Sequence, residues 1–128
     1  MKRRALLGAA AATALLAGCG KRKSARAVPL PAGSVVLALG DSITFGTGAE
    51  PEAANPAQLA QLTGWHVVNA GVPGDTSAQA LARLPDLLAE HTPALVSASI
   101  GGNDFLRRLP EADTEVNLRQ IVALAREA

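Results

Sequence analysis

Three short apolar runs organise this chain. Val35-Val36-Leu37-Ala38-Leu39 ends at Gly40, Trp65-His66-Val67-Val68-Asn69 ends before Gly71, Pro73 and Gly74, and Ala94 to Ile100 ends at Gly101-Gly102. Short, largely apolar runs closed by glycine or proline read as strands, and the first, which is continuously apolar, reads as one buried on both faces. Between them the spacing changes to helical. Pro56 to Leu62 predicts a short helix. Ser77 to Glu90 predicts a longer one, with Leu81, Leu84 and Leu88 on one face, Asp75 or Thr76 as its cap, and Pro85 kinking or splitting it. Leu118, Ile121, Val122 and Ala125 mark one face of a last helix, with Thr114 as a plausible cap. Strand and helix alternate without an internal repeat. That order implies an α/β fold with a parallel sheet and right-handed crossovers, whose ligands bind at the carboxyl ends of the strands.

Charge divides the chain in two. Residues 1–34 hold seven bases and no acid, whereas residues 35–128 hold five arginines against eleven acids, a formal charge of −6. The excess of bases belongs to the leader, and the acidic remainder argues against a nucleic-acid surface. Aromatic residues are few (Phe45, Trp65 and Phe105), so the core rests on Leu, Val, Ile and Ala, and a domain this small is expected to be marginally stable.

The leader itself reads as an export signal over residues 1–18. Lys2-Arg3-Arg4 is a charged start, and Ala5 to Ala17 is an apolar stretch of 13 residues, too short to span a bilayer. A buried N-terminal helix is the competing reading, but the stretch has no polar face. Leu16-Ala17-Gly18-Cys19 resembles the lipobox of bacterial lipoproteins, which implies lipidation of Cys19, the only cysteine. Cleavage after Ala25-Arg26-Ala27 would instead release a soluble periplasmic or secreted protein. Residues 19–34, basic and proline-bearing, read as a linker between anchor and domain. The chain is thus expected in a bacterial cell envelope, exported and tethered to a membrane facing the periplasm.

The candidate chemistry lies at the three strand ends. In Gly40-Asp41-Ser42-Ile43-Thr44 a serine follows a buried strand, where a helical turn would favour developing negative charge. In Asn69 to Ser77 a glycine can bring its N–H close to a substrate oxygen. In Gly101-Gly102-Asn103-Asp104 the Asn103 amide is a neutral donor suited to an oxyanion. Each cluster alone is an ordinary turn or cap. Occurring in order at successive strand ends, they resemble the SGNH (GDSL) hydrolases, on GDSIT at 40–44, NAGVPGDTS at 69–77 and GGND at 101–104. The arylesterase, thioesterase and lysophospholipase branch of bacteria is the most similar.

The resemblance implies a flavodoxin-like three-layer α/β/α fold over residues 35–128, with only its first three strands in this chain. It makes Ser42 the nucleophile, the Ser42 N–H, the Gly71 N–H and the Asn103 side chain the oxyanion donors, and Asp41 a supporting residue. It implies acyl-enzyme chemistry on a small ester, thioester or lysophospholipid, with no metal or other cofactor. The family's Asp-x-x-His motif, which carries the general base, has no counterpart here, so the domain reads as incomplete at its C-terminus. His66 and His91, the only histidines, are expected at a strand and at a helix end remote from Ser42. The alternatives are a carbohydrate O-acetylesterase of the same fold, or a catalytically dead, truncated lipoprotein that serves as a binding module.

Overall fold

The computed structural model describes residues 28–128. The expected signal segment at 1–18, the expected lipobox with Cys19 and the first part of the expected linker lie outside the described residues. The order of elements is β1 (Val35–Gly40), α1 (Ser42–Phe45), a 3₁₀ turn (Pro51–Ala53), α2 (Asn55–Thr63), β2 (His66–Gly71), α3 (Ser77–His91), β3 (Leu95–Ser99), α4 (Gly102–Leu106) and α5 (Glu111–Glu127). The linker expected through Ser34 is docked sooner than that. Trp65 Nε1 donates to the Leu30 carbonyl at 3.1 Å, and the Gly33 N–H donates to the Gly64 carbonyl at 2.8 Å.

The sheet is parallel throughout, in the order β2-β1-β3. β1 lies in the middle, which is why five of its six residues are buried and its sequence has no polar alternation. The chain steps from β1 outward to β2 and then returns across β1 to β3. With right-handed crossovers, that reversal puts the connecting helices on opposite faces of the sheet and opens a crevice at the carboxyl ends of β1 and β3. Leu37 and Leu39 form the main core with Ala80, Leu84 and Leu88 of α3 and Ile121 of α5. Among the described residues β3 pairs only with β1, and four of its five residues are exposed.

Two helix starts differ from expectation or decide between options. Thr76 caps α3: its hydroxyl accepts the Gln79 N–H, and Gln79 Oε1 accepts the Thr76 N–H at 2.9 Å. Asp75, the other option, binds Arg83 instead. Thr114 is not the cap of α5. The helix already begins at Glu111 behind Pro110, and the Thr114 hydroxyl donates to Asp104 Oδ1 at 3.2 Å. Pro85 does not split α3, which runs unbroken to His91. Pro85 lacks the N–H that would reach the Leu81 carbonyl, but the buried Leu84 and Leu88 anchor the helix across that gap. Among the described residues no helix is long and apolar enough to cross a membrane.

Candidate active site

β1 delivers Ser42 to the crevice. Asp41 caps α1, its Oδ1 accepting the Ile43 N–H at 3.0 Å, and Ser42 is the first residue of that helix. A first-turn N–H has no partner inside its own helix. The Ser42 N–H accordingly has no acceptor among the described residues, and neither does the Ser42 hydroxyl. Ser42 is half-buried at the carboxyl end of β1.

The loop after β2 is best understood by tracing each N–H in turn. Gly71 donates to Asn69 Oδ1 at 3.0 Å, and Asn69 Nδ2 donates onward to the Phe45 carbonyl at 3.2 Å. The expected offer of the Gly71 N–H to an oxyanion is thus already taken. Gly71 is needed for another reason: a Cβ there would overlap the backbone of Thr44 and Phe45. Val72 donates to Gly40 at 3.0 Å, Pro73 has no N–H, Asp75 donates to Val72 at 3.1 Å, Thr76 donates to Gln79 and Ser77 donates to Asp104. Gly74 is left as the one residue of this loop whose N–H finds no acceptor among the described residues. Pro73 and Gly74 are the central residues of a tight turn closed by the Asp75-to-Val72 bond, with Gly74 at φ 85°. Proline followed by a left-handed glycine is the signature of a type II turn, whose second central N–H lies outside the turn's own hydrogen bond. That signal was present in the sequence as Val72-Pro73-Gly74-Asp75.

Asn103 stands beside this turn. Its Nδ2 donates to the Asp75 carbonyl at 2.9 Å, which leaves the second amide hydrogen free. Arg107 donates to the Gly74 carbonyl at 2.6 Å. From the other side, the Gly102 backbone lies close to Asp41, so α4 bridges the Ser42 loop and the turn. Ser42, Gly74 and Asn103 are therefore gathered at one end of β1 and β3.

Behind Asn103 lies a buried polar knot. Asp104 is 3% exposed; it accepts the Ser77 N–H at 2.8 Å, the Ser77 hydroxyl and the Thr114 hydroxyl, while Asn117 Nδ2 donates to Ser77 Oγ at 3.0 Å. This knot joins the starts of α3, α4 and α5. Burial pushes the Asp104 carboxyl upward, but the hydrogen bonds from the Ser77 side chain and N–H and from Thr114 outweigh it, so its pKa lies below the ordinary 3.8. The ionised carboxylate thus favours the folded state. Its contribution is complete above the unfolded-state value and is lost as pH falls through 3.8 towards the lower folded-state pKa. Asp104→Asn is expected to destabilise the protein at pH 7 by about 1–3 kcal/mol, because an amide cannot accept from all three donors. Urea melts from pH 7 down to pH 3 should show the gap between wild type and variant closing on the acid side. A gap that stays constant would show that the carboxylate charge plays no part.

Neither histidine belongs to this gathering. His66 opens β2 opposite Val35, at the far end of the strand from Gly71, roughly 16 Å of extended chain away. His91 closes α3, the end opposite its loop with Gly74, and lies 3.9 Å from Glu90. Among the described residues no group of His, Cys, Asp and Glu is arranged to hold a metal ion.

Residues 38–128 match the GDSL-like Lipase/Acylhydrolase family. The chain belongs to that family. Among curated members it is similar to "Thioesterase 1/protease 1/lysophospholipase L1" of Escherichia coli (strain K12), 46% identical over 95 residues, covering 71% of this chain and 45% of that protein. It is also similar to "Esterase TesA" of Pseudomonas aeruginosa, 42% identical over 100 residues, covering 74% of this chain and 50% of that one. Of solved structures, AlinE4, described as an SGNH-hydrolase family esterase, superposes with a TM-score of 0.70 at 33% identity, covering 77% of this chain and 56% of that one. The GDSL-family chain here therefore spans about half the length of the curated relatives it matches. Its fold is the SGNH hydrolase fold, as the sequence implies.

Proposed function

We propose that the full-length protein hydrolyses esters through an acyl-enzyme on Ser42. One observation carries this reading: Ser42 opens a helix directly after the central strand with its N–H unengaged, at the same end of the sheet as the unengaged N–H of Gly74 and the free amide hydrogen of Asn103. Attack by the Ser42 hydroxyl on an ester carbonyl puts negative charge on the carbonyl oxygen, and these three donors suit it. In this reading Gly74 takes the role expected of Gly71, and Gly71 instead lets β2 approach α1. Asp41 supports the loop by capping α1. Activation of Ser42 needs a base, and neither His66 nor His91 is close enough to supply it.

The names of the relatives point to small esters, thioesters or lysophospholipids as the substrate class. The test is hydrolysis of short-chain p-nitrophenyl esters and of an acyl thioester by the full-length gene product. Turnover is expected on both, and none on either would overturn the reading.

The lipobox at 16–19 further supports a lipid anchor on Cys19 and a place at the cell envelope. Cys19→Ala is expected to move the protein from the membrane fraction to the soluble fraction. Unchanged fractionation would remove the anchor from the proposal and leave the hydrolase untouched.

A further inference from the structure

Arg83 is the only arginine or lysine between Arg26 and Arg107, and it does not sit on the solvent face of α3. Its side chain is 25% exposed, against a partner carboxylate on Asp75 that is 9% exposed. Nε donates to Asp75 Oδ2 at 2.8 Å, and Nη2 donates to the Gly40 carbonyl at 3.0 Å. Gly40 is the last residue of β1, two positions before Ser42. Asp75 closes the turn that holds Gly74, and its carbonyl accepts the Asn103 amide at 2.9 Å. One guanidinium therefore joins the end of the strand that presents serine to the residue that seats the other two donors.

A part-buried pair is a poor device for stability alone, since desolvation offsets much of the attraction. What it offers is geometry. The rigid fork of arginine fixes two acceptors at a set separation, which the single nitrogen of lysine cannot do. We propose that Arg83 is a positioning residue that sets the spacing between Ser42 and its Gly74 and Asn103 donors. The proposal rests on the hydrolase reading above. It acts through Asp75 and Asn103 and needs no contact with substrate.

The test compares full-length wild type, Arg83→Ala and Arg83→Lys, each also combined with Asn103→Ala, on p-nitrophenyl butyrate. Arg83→Ala is expected to lower kcat by roughly 10- to 100-fold, the scale of a small misplacement, with KM within about twofold. Arg83→Lys should recover little of that loss. In the Asn103→Ala background the same substitution should cost several-fold less than in wild type, because one of the two donors it positions is already gone. Equal losses in both backgrounds, or a change confined to KM, would overturn the proposal. If Arg83→Ala fails to fold, Arg83→Lys carries the same comparison. If wild type hydrolyses no ester, it is the hydrolase reading that fails, and positioning is then read by NMR from the Asn103 side-chain amide. Its two protons are expected to be well separated in wild type, where one is held by Asp75, and to converge in the Arg83 variants. Unchanged separation would overturn the positioning role.

Discussion

Ser42→Ala is expected to reduce ester turnover by the full-length protein by roughly 10⁴- to 10⁶-fold, the range seen when a serine nucleophile is removed from a catalytic unit. The size follows from the role: without the hydroxyl no acyl-enzyme forms, and only binding and the oxyanion donors remain to assist water. The structure also predicts that this loss comes without unfolding. The Ser42 hydroxyl has no hydrogen-bond partner among the described residues, and α1 is held by backbone bonds to Asp41 and Ser42 and by the Asp41 side chain. Replacing the hydroxyl by hydrogen leaves all of these in place, so stability should stay within about 0.5 kcal/mol of wild type. The check is kcat/KM on p-nitrophenyl butyrate beside a thermal melt. A variant that melts normally and still turns over within tenfold of wild type would show that Ser42 is not the nucleophile. A collapsed melt would show that Ser42 holds the strand-to-helix turn together instead.

The sequence discloses the scaffold better than the donors, for a physical reason. A central parallel strand must be apolar on both faces, so Val35 to Leu39 announces its own burial, and from that strand the order of the sheet follows. Which N–H is free is a different kind of question. It depends on where every neighbouring donor goes, and the competitor at Gly71 is a side chain two residues away, Asn69. Residue type alone ranks Gly71 and Gly74 equally. The clue that separates them, proline followed by glycine, speaks of turn geometry and only indirectly of chemistry. Arg83 is legible as a lone base in an acidic stretch, but its partners lie 8 and 43 residues away, and no periodicity connects them. Thr114 illustrates the converse. It has the residue type of a helix cap, yet the buried carboxylate of Asp104 draws its hydroxyl elsewhere, a tertiary contact that overrides a local preference.

Asn103→Ala is the second large effect. Removal of one oxyanion donor is expected to lower kcat by about 10²- to 10³-fold, or about 2.7–4 kcal/mol of barrier, with KM nearly unchanged. The split between the two constants is the informative part. A donor that meets charge only as it develops stabilises the transition state and not the bound ester, so its loss appears in kcat. A residue that merely gripped the ester would raise KM instead. Asn103 has a second bond, from Nδ2 to the Asp75 carbonyl, and its loss weakens the seat of the Gly74 turn. Asn103→Ser tests which bond matters. Its shorter hydroxyl is a poor match for both positions and should not recover kcat. If the serine variant regains most of the activity, the amide's reach across the site is not what catalysis uses, and the oxyanion would rest on the Ser42 and Gly74 N–H groups alone.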